Sequence, residues 1–378
     1  MTERSLHTRR GVLASGTALL GSLAGCATVF SDGEDVPAPT LDDFRGDTRL
    51  VGERPVPGGP RIADLPDLDG RLTVYVAGSA SERYERLVGL LEQTYPGFAP
   101  TLRVEPAEVL VAALREQADA GNVRADVLLA TDAAAVDALA DDELTATLPD
   151  DVTARVPARF RPTDTWVGVG AHSRALAYDT TAFDTGDVPT SVDAIPDAVP
   201  GPIAWAPRSY GFRTFVTALR ALAGRGAARE WLRAVLHADT DTVDGEFFAA
   251  NAVARGDATL ALASHQDVLR VRAGRPDAPL GLAFTENDAG ALVNATAAAV
   301  LRASNATMLA RTFVRHLLSA EAQEFVATDA LAYPVTPGVE PIAALPPLDA
   351  LSPPTLALSA LGDVAPTESL LQEVGILP

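Results

Sequence analysis

Between Leu72 and Leu129 the chain passes twice from a short β-branched run into apolar residues at helical spacing, then returns to a buried strand. Leu72-Thr73-Val74-Tyr75-Val76 reads as a strand, and Tyr84, Leu87, Val88 and Leu91 mark one face of the helix after it. Leu102-Arg103-Val104, a helix from Val109 to Ala120 and the strand Ala125-Asp126-Val127-Leu128-Leu129 repeat the pattern. This alternation predicts an α/β fold with a mostly parallel sheet, whose ligands gather at the carboxyl ends of the strands.

A second block begins near Trp166. Ala175-Leu176-Ala177-Tyr178 and Pro202-Ile203-Ala204-Trp205 read as strands, the latter leading through Arg208-Ser209-Tyr210-Gly211 into a helix with Phe215, Leu219 and Leu222 on one face. Thr259-Leu260-Ala261-Leu262-Ala263 is a further apolar strand that stops at Ser264-His265-Gln266-Asp267. Some three hundred residues exceed one ordinary core, so two lobes are expected.

The amino-terminal part differs in kind. Thr8-Arg9-Arg10 opens an uncharged run of small residues that closes on Leu23-Ala24-Gly25-Cys26, the only cysteine of the chain. A basic start, a short apolar core and small residues before the cut suit an exported precursor, and the twin arginines suit the Tat route. Residues 1–26 therefore look like a lipoprotein signal, with Cys26 carrying the lipid. The competing reading is an uncleaved membrane anchor over Gly11–Phe30, against which its glycines, serines and threonines count. Residues 27–70, rich in Asp, Pro and Gly without sustained periodicity, read as a disordered tether.

Charge narrows the partners. With 50 Asp+Glu against 30 Lys+Arg the formal net charge is −20, and every one of those 30 bases is arginine. Such a chain gains from ionic screening and resembles proteins of salt-loving archaea. It offers no basic face for nucleic acid. Once Cys26 is lipidated no thiol remains for a disulfide or thiolate chemistry. Gly-x-Ser-x-Gly and His-Glu-x-x-His are both absent, while His237 and His316 fall in expected helices away from the strand ends. An enzyme is thus not expected, although an exported enzyme and a signalling receptor on the same fold remain the alternatives.

An ordered series of landmarks carries a family resemblance. It comprises Thr73-Val74-Tyr75, Ala125-Asp126-Val127, Trp166-Val167-Gly168, Arg174 with Tyr178-Asp179, Trp205-Ala206-Pro207, Gly290-Ala291-Leu292-Val293, Tyr333-Pro334-Val335-Thr336-Pro337 and the closing Leu370 to Gly375. From about Leu72 to the end the chain resembles the ferric-binding solute receptors of ABC importers, within the type II periplasmic binding proteins. The resemblance implies an α/β, two-lobed fold with a ligand cleft between lobes. It divides the chain into lobe 1, residues 71–165 plus about 284–330, and lobe 2, residues 166–283 plus 331–378. It also implies a small-molecule or ion ligand, an ABC permease as membrane partner, no cofactor, and an extracytoplasmic position, lipid-anchored to the outer face of the cell membrane.

Iron-binding relatives grip their metal chiefly with two adjacent tyrosines after the strand that here ends at Ala263, where this chain has Gln266-Asp267. The family's first-loop histidine falls near Ser79 and its carboxylate near Thr131, with Asp132 adjacent. Phenolate-bound iron is therefore not expected, and whether any metal binds stays open. The expected ligand-binding set is Ser79, Thr131, Asp132, His172, Arg174, Ser209, Tyr210, Glu246, His265, Gln266 and Asp267, with Ser81 nearby. The helix opening at Arg208–Gly211 favours an anion, whereas Asp132, Glu246 and Asp267 favour a cation or amine. Structural readings stand beside these. His265 suits a strand-end hydrogen bond, His172 a solvated surface, Trp166 and Trp205 a core, and Asn305 either a glycan acceptor or a helix cap.

Overall fold

The computed structural model describes residues 38–78, 81–184 and 186–378. The signal segment with Cys26, the first part of the expected tether, and Ser79 lie outside the described residues. Residues 38–378 form one compact unit. After the four-residue α1 (Leu41–Phe44), the first half runs β1 (Gly70–Ala77), α2 (Ser81–Thr94), β2 (Phe98–Glu105), α3 (Ala107–Asp119), β3 (Val127–Ala130), α4 (Ala133–Asp141) and the short α5 (Asp150–Thr153). This is the strand–helix alternation that the apolar spacing predicts.

β4 (Val167–Asp179) joins the lobes. Its first half pairs antiparallel with β9 (Val293–Val300), which continues through β3 into the parallel β1 and β2. From Arg174 onward the same strand pairs with β7 (Leu260–Ser264) and β8 (Leu280–Ala283). Between β4 and β7 the chain forms α6 (Ile195–Ala198), β5 (Ile203–Trp205), α7 (Tyr210–His237), β6 (Thr240–Thr242) and α8 (Glu246–Ala254), with α9 (His265–Gly274) following β7. β5 lies parallel between β6 and β7. The chain ends in α10 (Thr307–Leu317), α11 (Ala320–Thr328) and α12 (Ala365–Glu373). α7 is two helical segments meeting at Gly224, whose φ of 87° is available to glycine without strain.

Two hydrophobic cores correspond to the two sheet halves. One gathers β1, β3, α2 and β9 around Phe160, Trp166 and Tyr333; the other packs Trp205, Phe212, Phe215 and Trp231 against Leu260 and Leu262. Trp166 and Trp205 are thus core residues, each anchored by its indole N–H, to Asp137 at 2.8 Å and Thr242 at 3.0 Å. Asp126 is structural too, accepting the Thr73 N–H at 2.8 Å and the Ser304 hydroxyl at 2.6 Å. Among the described residues no helix is long and apolar enough to cross a membrane.

Two organisational expectations need correction. Residues 38–70 are not a disordered tether: Phe44, Ile62 and Leu68 are buried in the first core, and Gly46 passes so close to α11 that a Cβ there would lie 2.3 Å from the Thr328 carbonyl oxygen. Arg45 and Arg54 converge on Glu324 at 2.9 and 2.8 Å, and Arg61 meets Glu321 at 2.9 Å. Irregularly spaced apolar anchors and ion pairs, rather than periodicity, hold this strap. The lobe boundaries also move. Trp166 to Ala171 lie in the first core, as do Leu331, Tyr333, Val335, Ile342, Leu345 and Leu351, because Ala171 and Tyr333 exchange backbone hydrogen bonds at 2.8 Å. Only the chain end, with Leu361, Leu370 and Leu371, joins the second core.

Candidate functional site

Where β4 crosses from one sheet half to the other, a cleft of about 350 Å³ opens between the two cores. Tyr84, Thr131, Asn294 and Thr296 line it from the first lobe; Ser209, Tyr210, Glu246, Gln266, Asp267 and Arg270 line it from the second. His172 and Arg174 reach it from the crossing strand itself. Three helices begin at this point. α7 starts after Ser209, whose hydroxyl accepts the Phe212 N–H; α8 starts after Gly245; α9 starts after Ser264, whose hydroxyl accepts the Asp267 N–H. Helix starts carry uncommitted N–H groups and partial positive charge.

At the centre, Arg174 Nη1 donates to both carboxylate oxygens of Glu246 at 2.7 Å. Glu246 also accepts the Ser209 hydroxyl at 2.9 Å and the Ser264 N–H at 2.8 Å. Every strong lone-pair direction of this carboxylate is therefore engaged within the protein. Asp267 is paired with Arg270 at 2.9 Å and accepts the Ser264 hydroxyl at 2.9 Å, one bond on each oxygen. The expectation that Glu246 and Asp267 draw a cation is thereby corrected, because both charges are already compensated. Arg174 is the reverse case: its Nε and Nη2 are buried without a partner.

The remaining expected residues divide. Thr131 and Tyr210 line the cleft, and Gln266 does so while donating its amide to the Ala330 carbonyl at 2.7 Å. His172 lines it as a neutral imidazole, pushed down to about 4 by burial and then by the Arg174 charge. His265 does not face the cleft and is corrected to a structural role. It is completely buried, its Nδ1 accepts the Ser173 N–H at 3.0 Å and its Nε2 sits 3.0 Å from the Leu331 carbonyl, so it rivets β4 to the chain beyond α11. Burial holds it down to about 3 despite those backbone bonds.

Asp132 is also displaced from the expected position. It caps α4, accepting the Ala134 N–H at 2.9 Å and the Asn294 amide at 3.0 Å, and lines a neighbouring hollow with Ser81, Glu105 and Arg213 instead of the main cleft. Burial raises its carboxyl above the ordinary range, although both hydrogen bonds pull the other way. Asn305 is exposed and does not cap α10, whose preceding residue is Ala306.

Sequence reasoning missed Tyr84, Arg270, Asn294, Thr296 and the pair Phe247-Phe248. Tyr84 falls in the apolar face of α2 and reads as core; it is buried, bonded to Thr296 and pushed up to about 12 by desolvation. Asn294 and Thr296 alternate along β9 among alanines and valines, which was the one available signal for two polar groups on a common face. Among the described residues no group of three His, Cys, Asp or Glu side chains is placed to hold a metal ion.

Comparison with known proteins places these features in context. The family described as bacterial extracellular solute-binding protein matches residues 91–350. The major ferric iron-binding protein of Neisseria meningitidis serogroup B is 29% identical over 222 residues, 56% of this chain and 65% of that protein. Iron uptake protein A2 of Synechocystis is 27% identical over 58% of this chain and 68% of its own length. The chain thus spans about 65% of the length of the Neisseria relative. Among solved structures, iron-bound HitA from Pseudomonas aeruginosa superimposes with a TM-score of 0.72 at 27% identity, over 81% of this chain and 99% of HitA. The Trichodesmium IdiA (FutA) complex with iron and citrate has a TM-score of 0.68 at 18% identity, over 82% of this chain and all of that one, a likeness of fold.

Proposed function

Because the chain belongs to the bacterial extracellular solute-binding protein family and has the two-lobed type II periplasmic-binding fold, we propose that it is the solute-capturing component of an ABC importer. The observation that carries this reading is the cleft itself, where side chains from both lobes meet beside the shared strand β4. A ligand touching both walls binds the closed arrangement better than the open one and shifts the population accordingly. Delivery to a membrane permease then needs no chemistry on the solute.

The similar Neisseria proteins are named as ferric iron-binding proteins. The family resemblance implies two adjacent tyrosines where this chain has Gln266-Asp267, and the cleft carboxylates are already paired, which supports a cargo other than phenolate-bound iron. Anchoring follows from the sequence: Cys26, the only thiol, ends a lipobox-like run behind twin arginines. A net charge of −20 without a lysine suits high salt, where screening relieves carboxylate repulsion.

Purification under native conditions, extraction of retained small molecules and calorimetric rebinding test the capture reading. One solute per chain is expected, with a smaller radius of gyration in solution on binding. Failure of retained compounds, organic anions, amines and ferric salts alike to bind refutes it. Cys26→Ser expressed in the native host is expected to release the protein from membranes, and a variant that stays bound refutes the lipid anchor.

A further inference from the structure

The polar groups of the cleft do not balance. Glu246 accepts four hydrogen bonds, from Arg174, Ser209 and Ser264, which fills its acceptor positions, and the Asp267 charge is paired with Arg270 and bonded to Ser264, so neither carboxylate offers an uncompensated charge to a cation. Donors, in contrast, are left over. Arg174 is 6% exposed, lines the cleft and spends only Nη1 on Glu246; Nε and Nη2, bearing three N–H groups between them, have no partner. Arg270, which also lines the cleft, has its Nε without a partner. Buried donors without acceptors cost free energy, and the site recovers it when a ligand supplies oxygens.

The same guanidinium sits against the first turn of α7. A Cβ at Gly211 would fall 2.7 Å from Arg174 Nη1 and 2.5 Å from a Glu246 oxygen, so any larger residue there would displace the ion pair. The Nε–Nη2 edge of an arginine presents two parallel N–H bonds, the spacing that meets a carboxylate or phosphonate side-on. The helix start adds positive potential at the same place.

One wall of the cleft is apolar. Phe247 and Phe248, at the start of α8, stand 40% and 56% exposed with ring centroids 5.7 Å apart at 81°. A bare inorganic ion would leave them in water, whereas an organic body covers them.

We propose that the solute is an organic oxyanion, whose carboxylate or phosphonate seats on the free Nε–Nη2 edge of Arg174 and whose apolar body lies against Phe247 and Phe248. The inference rests on the solute-capture reading and names its cargo. It resolves the choice between an anion and a cation or amine in favour of the anion, because the cleft has donors to spare.

Mass spectrometry of the compound retained by natively purified protein tests it, together with calorimetry against phenylphosphonate, benzoate, inorganic phosphate, spermidine and ferric nitrilotriacetate. The expected result is a retained organic acid, or, where nothing is retained, binding of phenylphosphonate or benzoate. Affinity should fall at least thirtyfold in the Arg174→Gln, Glu246→Gln double variant, which removes both charges together. Phe248→Ala, an exposed position that leaves folding intact, separates the two parts of the proposal. It should weaken phenylphosphonate at least threefold more than inorganic phosphate, and equal weakening would mean that lobe closure alone covers the ring. A retained amine or metal, or tight binding of spermidine or ferric ion without the anions, overturns the inference while leaving solute capture standing. Failure of all five probes with no retained compound overturns both.

Discussion

Arg174 Nη1 lies 2.7 Å from each carboxylate oxygen of Glu246, and the two side chains are each only 7% exposed. A buried pair of this kind contributes little net stability relative to apolar residues of equal volume, yet breaking it from one side strands a charge. Glu246→Ala should therefore cost about 3 to 5 kcal/mol, and Arg174→Gln, Glu246→Gln much less. Urea unfolding of the three proteins measures this. Equal losses in the single and double variants would show that the pair acts through packing and not through compensated charge.

Glu324 has the same logic on the outside of the first lobe. Its side chain is 1% exposed and receives Arg45 at 2.9 Å and Arg54 at 2.8 and 3.1 Å, all from the strap before β1. Glu324→Ala should cost about 3 kcal/mol and free the strap for proteolysis between Arg45 and Arg61. Limited trypsin digestion reads the second effect directly. A strap that resists cleavage in the variant would mean that Phe44, Ile62 and Leu68 hold it without the ion pairs.

These two pairs mark the limit of what the sequence made legible. β1, β7 and the helices between β1 and β3 follow from apolar spacing, because each buries a regular face. The strap does not, because its anchors at Phe44, Ile62 and Leu68 have no period and its arginines find partners nearly three hundred residues away. At the site, Arg174, Ser209 and Glu246 of the expected set line one cleft. Strand-end position misplaced His265, because the first residue of α9 turns its ring under β4 and not into the cleft. Side-chain direction at a helix start depends on tertiary packing, and strand-end polarity does not encode it.

Acid should destabilise the fold through imidazoles that the folded chain holds neutral. His172 is held down to about 4 and His265 to about 3, both by burial first, against an ordinary value near 6.5. Between about pH 6.5 and those values the unfolded chain binds protons that the folded chain refuses, so stability falls as pH is lowered through this window. Each histidine can contribute a slope approaching 1.4 kcal/mol per pH unit there. The raised carboxyl of Asp132 works in the opposite direction, favouring the folded state at low pH. Urea midpoints from pH 7 to 4.5 at constant high salt should decline, and His172→Gln should flatten the decline. A midpoint that rises on acidification would show that relief of the −20 charge outweighs both imidazoles.

Ferric ion should not produce the visible band of a tyrosine–iron complex. Only Tyr84 and Tyr210 contribute phenols to the cleft among its described residues, and they come from different lobes. Phenolate ligation requires loss of the phenolic proton, and burial pushes Tyr84 up to about 12, although Thr296 pulls the other way. Glu246 cannot substitute without breaking its pair to Arg174, which would leave that guanidinium buried and unpaired, and Asp267 already has its charge paired with Arg270. Titration with ferric nitrilotriacetate at pH 7 should leave the visible spectrum that of the chelate alone, in the parent protein and in Tyr84→Phe and Tyr210→Phe. A new absorption band in the parent that disappears in either variant would show that the lobes rearrange to bring a phenolate onto the metal, and would return this cleft to the iron-binding chemistry of its relatives.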